Sequence, residues 1–256
     1  FYPANPSILE KEVSSYTQEV KRENALGVLS PHAGYIYSGK VAGSVYSRIN
    51  ISRDVIIIGP NHTGLGEPEA VMCAGTWQMP NGNIEINSDL AGAIVENSKY
   101  LKEDHLAHLN EHSLEVQIPF LQRFRKDIRI VPIAMMSMDY AICQDIGHAV
   151  ARAVKSFKEP VLIVASSDMT HYESDKSARE KDKKAIDRVL ALDPEGLLKT
   201  VRENRITMCG VIPATIMLIA CKELGAKKAE LVDYATSGET SGDYEQVVGY
   251  AGMIVK

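Results

Sequence analysis

The chain has no stretch long and apolar enough to cross a membrane as a helix. Its longest apolar segment, Val211–Cys221, is interrupted by Pro213 and Thr215 and reads as a buried helix. Basic charge is not in excess either: 28 Lys and Arg against 33 Asp and Glu leave a formal net charge of −5. With no basic stripe, general binding to a nucleic-acid backbone is excluded. The four cysteines, Cys73, Cys143, Cys209 and Cys221, show no CxxC spacing and sit in apolar or helical surroundings. They read as reduced thiols of a cytoplasmic protein rather than a disulfide framework. No Gly-x-Ser-x-Gly elbow, P-loop or dinucleotide fingerprint occurs, which removes the usual support for hydrolase, kinase and dehydrogenase readings. Linker composition, charge blocks and fixed-period repeats are missing as well. No signal peptide is recognised, and a sequence that starts at Phe1 without methionine is expected to lack a short N-terminal stretch.

What is present is ordinary globular composition, 45% hydrophobic and 24% charged over 256 residues, enough for one substantial core. Short β-branched runs bounded by Gly, Pro and Ser alternate with helical spacing. This predicts a single three-layer α/β domain, its sheet largely parallel or mixed, with helices on both faces. Strands are predicted at Gly27–Ser30, Val55–Pro60, Ala70–Ala74, Ile128–Ala134, Val161–Asp168, Leu231–Ala235 and Val247–Val255, with a hairpin across Asn81-Gly82. Helices are predicted over Gly39–Ile49, Asp89–Glu96 with Ser88 as N-cap, His105–Phe124 broken near Pro119, Ile142–Phe157 and Ser174–Leu190.

Three of the apolar runs end, within a few residues, in a histidine: His32, His62 and His171. Ligands of open α/β sheets bind beyond the carboxyl ends of the strands, so this pattern would gather three imidazoles at one rim. Imidazole is both the commonest metal ligand and the side chain suited to proton transfer near neutral pH. Two imidazoles suit iron, zinc or copper, and Asp168, an acidic residue near His112 and Cys209 are the candidates for a third ligand. The three-residue spacing of Asp168 and His171 would let the carboxylate orient the ring, although Asp168 could equally cap a turn. His105, His108 and His112 would share one helical face. His105 and His108 read as polar surface, and His112, before an apolar run, as pointing inward. Cys209, just before the helix at Val211, reads either as a thiolate ligand or as a buried inert thiol.

The ordered set Ser-Pro-His-Ala-Gly-Tyr at 30–35, Gly-Pro-Asn-His at 59–62, Glu-His-Ser-Leu-Glu at 111–115, Ser-Ser-Asp-x-x-His at 166–171 and Cys-Gly at 209–210 resembles the Memo family. That family in turn looks like the class III extradiol ring-cleavage dioxygenases in fold. The resemblance implies His32, His62 and Cys209 as metal ligands, His171 as the acid–base residue, and Asp168 and His112 as further catalytic-pocket residues. It implies a redox metal, Fe(II) or Cu ahead of Zn, acting on a small molecule. The Cys209 position, where the dioxygenases use glutamate, favours softer metals. Two alternatives accompany this reading: a non-catalytic pocket for a ligand, phosphopeptide or protein partner, and a metal-dependent hydrolase.

Overall fold

Val55–Ile58 is apolar at every position, so a strand made from it must be covered on both faces. In the computed structural model, which describes all residues Phe1–Lys256, it lies in the middle of a mixed sheet of eleven strands. The strands are β1 (Gly27–Ser30), β2 (Asp54–Pro60), β3 (Glu69–Val71), β4 (Thr76–Trp77), β5 (Ile84–Ile86), β6 (Lys102–Glu103), β7 (Arg129–Met135), β8 (Val161–Ser166), β9 (His171–Glu173), β10 (Ala229–Thr236) and β11 (Val247–Val255). The main path runs β10-β11-β1-β8-β2-β7-β3-β6. Its four central strands, β1, β8, β2 and β7, are mutually parallel, whereas β11 and β3 run antiparallel to their neighbours β1 and β7.

Along each central strand, successive side chains enter opposite cores, as the two-residue period requires. Leu29, Ile56, Ile58, Ile163 and Ala165 belong to one buried cluster; Val28, Val55, Ile57, Leu162 and Val164 belong to the other. The first core is roofed by α3 (Ser88–Glu96), α6 (Tyr140–Ser156), α7 (Asp175–Leu190), α8 (Pro194–Glu203) and α9 (Val211–Glu223). The second is covered by α1 (Pro6–Tyr16), α2 (Tyr35–Ser47), α4 (His112–Glu115) and α5 (Ile118–Phe124). A short α10 (Gly238–Ser241) joins β10 to β11. Helix α9 is buried from Val211 through Cys221, as its all-round apolar sequence requires. No helix is long and apolar enough to cross a membrane.

Three local expectations are corrected. Asn87, not Ser88, caps α3: its side chain accepts from the Leu90 N–H. Residues 105–124 do not form one interrupted helix but a 3-10 turn at Leu106–His108 followed by α4 and α5. His105, His108 and His112 therefore share no helical face, and His108 is buried rather than on a polar surface.

Helix α2 shows how closely the layers approach. A Cβ at Gly43 would lie 2.2 Å from the Tyr16 carbonyl oxygen at the end of α1. In an unobstructed helix interior, Gly→Ala stabilises by roughly 0.5–1 kcal/mol. At Gly43 the sign reverses, because backbone must move to admit the methyl. Gly43→Ala is expected to lower stability by about 1–3 kcal/mol, read as a reduced urea midpoint. Gly92→Ala in α3, where a Cβ meets nothing within 4 Å, should raise it.

Candidate metal centre

Strands β1, β8 and β2 are adjacent and parallel, so His32, His62 and His171 leave the same end of the sheet. Pro31 turns the chain out of β1, and the following His32 N–H donates to Asp168 Oδ1 at 2.8 Å. That buried carboxylate thereby ties the exit of β1 to that of β8. His32 itself is buried, 2% exposed.

Helix α4 reaches the end of β2 because Gly59 has no side chain. A Cβ there would lie 2.7 Å from Ser113 Oγ, which donates to the Pro60 carbonyl at 2.9 Å. This docking delivers Glu111 and His112. Glu111 Oε2 accepts the His62 N–H at 2.5 Å, while Oε1 accepts from His62 Nδ1 at 3.0 Å and from the Ser113 N–H at 2.8 Å. A carboxylate acceptor on Nδ1 leaves the lone pair of His62 on Nε2. Burial pushes the Glu111 carboxyl up, but the donors from His62 and Ser113 outweigh it and hold it at about 2.

His32, His62 and His112 each offer a ring nitrogen within 4.8 Å of the others. Ring centroids are 5.3 Å apart for His32 and His62, 5.6 Å for His32 and His112 and 5.0 Å for His62 and His112. The His62 side chain is 36% exposed and leaves one side of the cluster open to solvent. Phe1 stacks on His112 at 3.9 Å between centroids. Burial, reinforced by the neighbouring imidazole of His62, lowers His32 to about 3. Burial and the nearby His32 lower His112 to about 4. Both rings are therefore neutral near neutral pH, the state a metal ion requires of them. The donor set fits a single metal ion.

Cys209 Sγ lies 3.2 Å from His32 Nε2 and accepts the Asp168 N–H at 3.3 Å. Burial, aided by the Asp168 carboxyl, pushes its thiol well above the usual range, so without a metal it is an S–H beside His32. It borders the imidazole cluster, whose third member is His112. Gly210 makes the approach possible, since a Cβ there would lie 2.2 Å from the Ser166 carbonyl. The His171 ring is not oriented by Asp168, as the spacing suggested: its Nδ1 bonds the Thr207 carbonyl at 2.9 Å, and Asp168 serves the His32 backbone instead. Burial pushes the Asp168 carboxyl above the ordinary carboxylate range, against the pull of the His32 N–H. Sequence reasoning reached Glu111 only as one of the acidic residues near His112, a candidate metal ligand rather than the partner of His62, and did not single out Thr207. Adjacency to His112 was the only signal for Glu111.

A profile described as Memo-like protein matches residues 1–254. The chain belongs to the Memo family. MEMO1 family proteins of Aquifex aeolicus and Methanopyrus kandleri are 44% and 40% identical to it, over 99% and 100% of this chain and 95% and 96% of theirs. One from Methanosarcina barkeri is 42% identical over 100% of this chain and 97% of its own. Among solved structures, an uncharacterized protein of Escherichia coli K12 shares the fold, with a TM-score of 0.55, 15% identity, and coverage of 89% of this chain and 98% of that one. This Memo-family chain is thus a mixed α/β domain with a histidine cluster able to chelate a metal ion.

Acid should destabilise the metal-free protein. Below pH about 6.5 the unfolded chain protonates its imidazoles, whereas native His32 and His112 refuse the proton until about 3 and about 4. Their contribution is therefore complete above that range and declines as pH falls. Glu111 acts in the same direction: its contribution is present above 4.5 and is lost as pH falls toward about 2. In chelator-treated protein the urea midpoint should fall between about pH 7 and about pH 5, and less steeply in His112→Phe. A parallel slope in that variant would remove His112 from the account.

Proposed function

We propose that this protein is a mononuclear metal protein that carries out iron- or copper-dependent redox chemistry on a small molecule. The observation that carries the reading is the group of three imidazoles within 4.8 Å, one of them open to solvent, at the carboxyl ends of parallel strands. His32 and His62 would hold the ion, and the third donor would be His112, which shares their cluster, or the Cys209 sulfur, which lies beside His32. A bound redox metal would supply Lewis acidity and one-electron chemistry toward a substrate beside it.

The chain's own residues supply the rest. Glu111 holds the His62 ring, and the Asp168 carboxylate holds the His32 turn. The Thr207 carbonyl can only accept, so His171 Nδ1 carries hydrogen and its Nε2 is left to take a proton from a ligand hydroxyl or amine. His171 thus suits proton transfer, while the open side beside His62 admits the ligand.

A non-catalytic, ligand-binding role finds support in two exposed aromatic side chains at the site, Phe1 stacked on His112 and Tyr172 following His171, 63% and 73% exposed. Metal analysis of protein purified without oxygen separates the two. Bound iron or copper with oxygen uptake on a small reductant supports the redox role, and a metal-free protein that binds peptide supports the other.

The two candidate third donors differ in softness, which makes their variants informative. Thiolate prefers Cu(I), and imidazole serves Fe(II) and Zn(II). Cys209→Ser is expected to weaken Cu(I) binding by about tenfold or more while sparing Fe(II), and His112→Ala to do the reverse. His171→Ala should abolish turnover with metal content retained. Equal loss of metal in that variant would make His171 a ligand instead.

A further inference from the structure

Behind the metal cluster lies a buried polar network that the proposed chemistry does not use directly. Ser166, Gln117, Ser113, Tyr46 and Ser30 are all fully buried. The hydrogens around Ser166 Oγ can be placed, because three of the surrounding groups are the backbone carbonyls of Ser30, Pro31 and Ser113, which only accept; the Ser30 hydroxyl has no partner and takes no part.

The Gln117 side-chain nitrogen lies 2.9 Å from the Pro31 carbonyl and 3.4 Å from that of Ser30, so the amide group and not the oxygen must face them. Tyr46 confirms the orientation by donating to Gln117 Oε1 at 2.8 Å. The second amide hydrogen of Gln117 then donates to Ser166 Oγ at 2.8 Å. Ser166 has one hydrogen of its own, and the Ser113 carbonyl 2.5 Å away claims it. Only acceptor capacity remains on that oxygen. The third partner, His32 Nδ1 at 2.9 Å, must therefore donate.

We propose that Ser166, clamped by Gln117 and the Ser113 carbonyl, is a positioning residue that fixes His32 as the Nδ1–H tautomer and so directs its Nε2 lone pair into the site. The assignment rests on the reading of His32 as a metal ligand for its purpose but not for its chemistry, since the tautomer exists with or without a metal. In water a neutral histidine interconverts between tautomers and rotates freely. Here both freedoms are removed before any ion arrives. Such outer partners of ligating histidines are typically worth about 10–100-fold in metal affinity. His62 is fixed in the same sense by a carboxylate, Glu111, so the two rings present the same nitrogen by different means.

The test reads the tautomer directly, by long-range proton–nitrogen NMR correlation of the His32 ring in chelator-treated protein. The wild type should carry hydrogen on Nδ1 and none on Nε2. Ser166→Ala should populate the Nε2–H form and weaken Zn(II) binding by about 10–100-fold, with the far-UV spectrum unchanged. Ser166→Thr, which restores the hydroxyl in a residue suited to a strand, should recover both. Hydrogen on Nε2 in the wild type would overturn the proposal, whatever the variants do. So would a Ser166→Ala protein with an unchanged tautomer and unchanged Zn(II) affinity. A wild type that holds the Nδ1–H form yet binds neither Zn(II) nor any other metal would sustain the Ser166 assignment and overturn the metal function above.

Discussion

The parallel register of β1, β8 and β2 is the constraint on which the site depends. Leu29, Ala165 and Ile58 are aligned across the three strands, so the chain leaves the sheet at one level in all three. His32 follows Leu29 by three residues, His62 follows Ile58 by four and His171 follows Ala165 by six. A slip of one residue in either pairing would turn the apolar set of that strand toward the wrong core. The two cores therefore lock the register, and the register sets where the histidines emerge. Site geometry is inherited from hydrophobic packing rather than from contacts among the histidines.

That inheritance leaves carboxylates in places where water cannot satisfy them, and at Glu111 and Asp168 the fold supplies backbone or ring donors. Glu111 accepts from the His62 ring and from two amides; Asp168 accepts the His32 N–H. Each carboxylate links two chain segments far apart in sequence, so it organises the rim while being solvated by it. Removing a donor from a buried carboxylate costs more than making the bond contributes, because the charge is then stranded. The arrangement is consequently stiff around His32, whose backbone and ring are both held. On the side of His62 it is open, since that ring reaches solvent.

Much of this was legible in the sequence. Runs such as Val55-Ile56-Ile57-Ile58 can scarcely be anything but a doubly covered strand, and His32, His62 and His171 were found because each follows such a run. The 105–112 segment was misread for an identifiable reason: its histidines fall at helical offsets, but Asp104 and Gly66 make tertiary contacts that break the segment into a 3-10 turn. The Asp104 carboxylate accepts the Leu106 N–H, and a Cβ at Gly66 would lie 2.3 Å from Asp104 Oδ2. Local spacing cannot register a contact with residue 66. The same limit hid the role of Glu111, which is partnered by a ring 49 positions earlier, and of Thr207, which holds a histidine 36 positions away.

Glycine in the family motifs takes its meaning from the same close approaches. In Gly-Pro-Asn-His, the missing Cβ of Gly59 admits Ser113 and Leu114, and with them the helix that brings His112. In Cys-Gly, Gly210 lies against the Ser166 carbonyl and the Ser167 side chain, and its N–H donates to Ser167 Oγ at 3.0 Å. These two glycines bind nothing themselves. They remove the one obstacle to packing a ligand-bearing turn against a strand end. A side chain at either position would act on His112 or Cys209 through displacement, leaving their chemistry intact but out of reach. Motif residues in this fold thus divide into those that carry donors and those that set how near the donors come, and the second group is recognisable only once backbones are seen to touch.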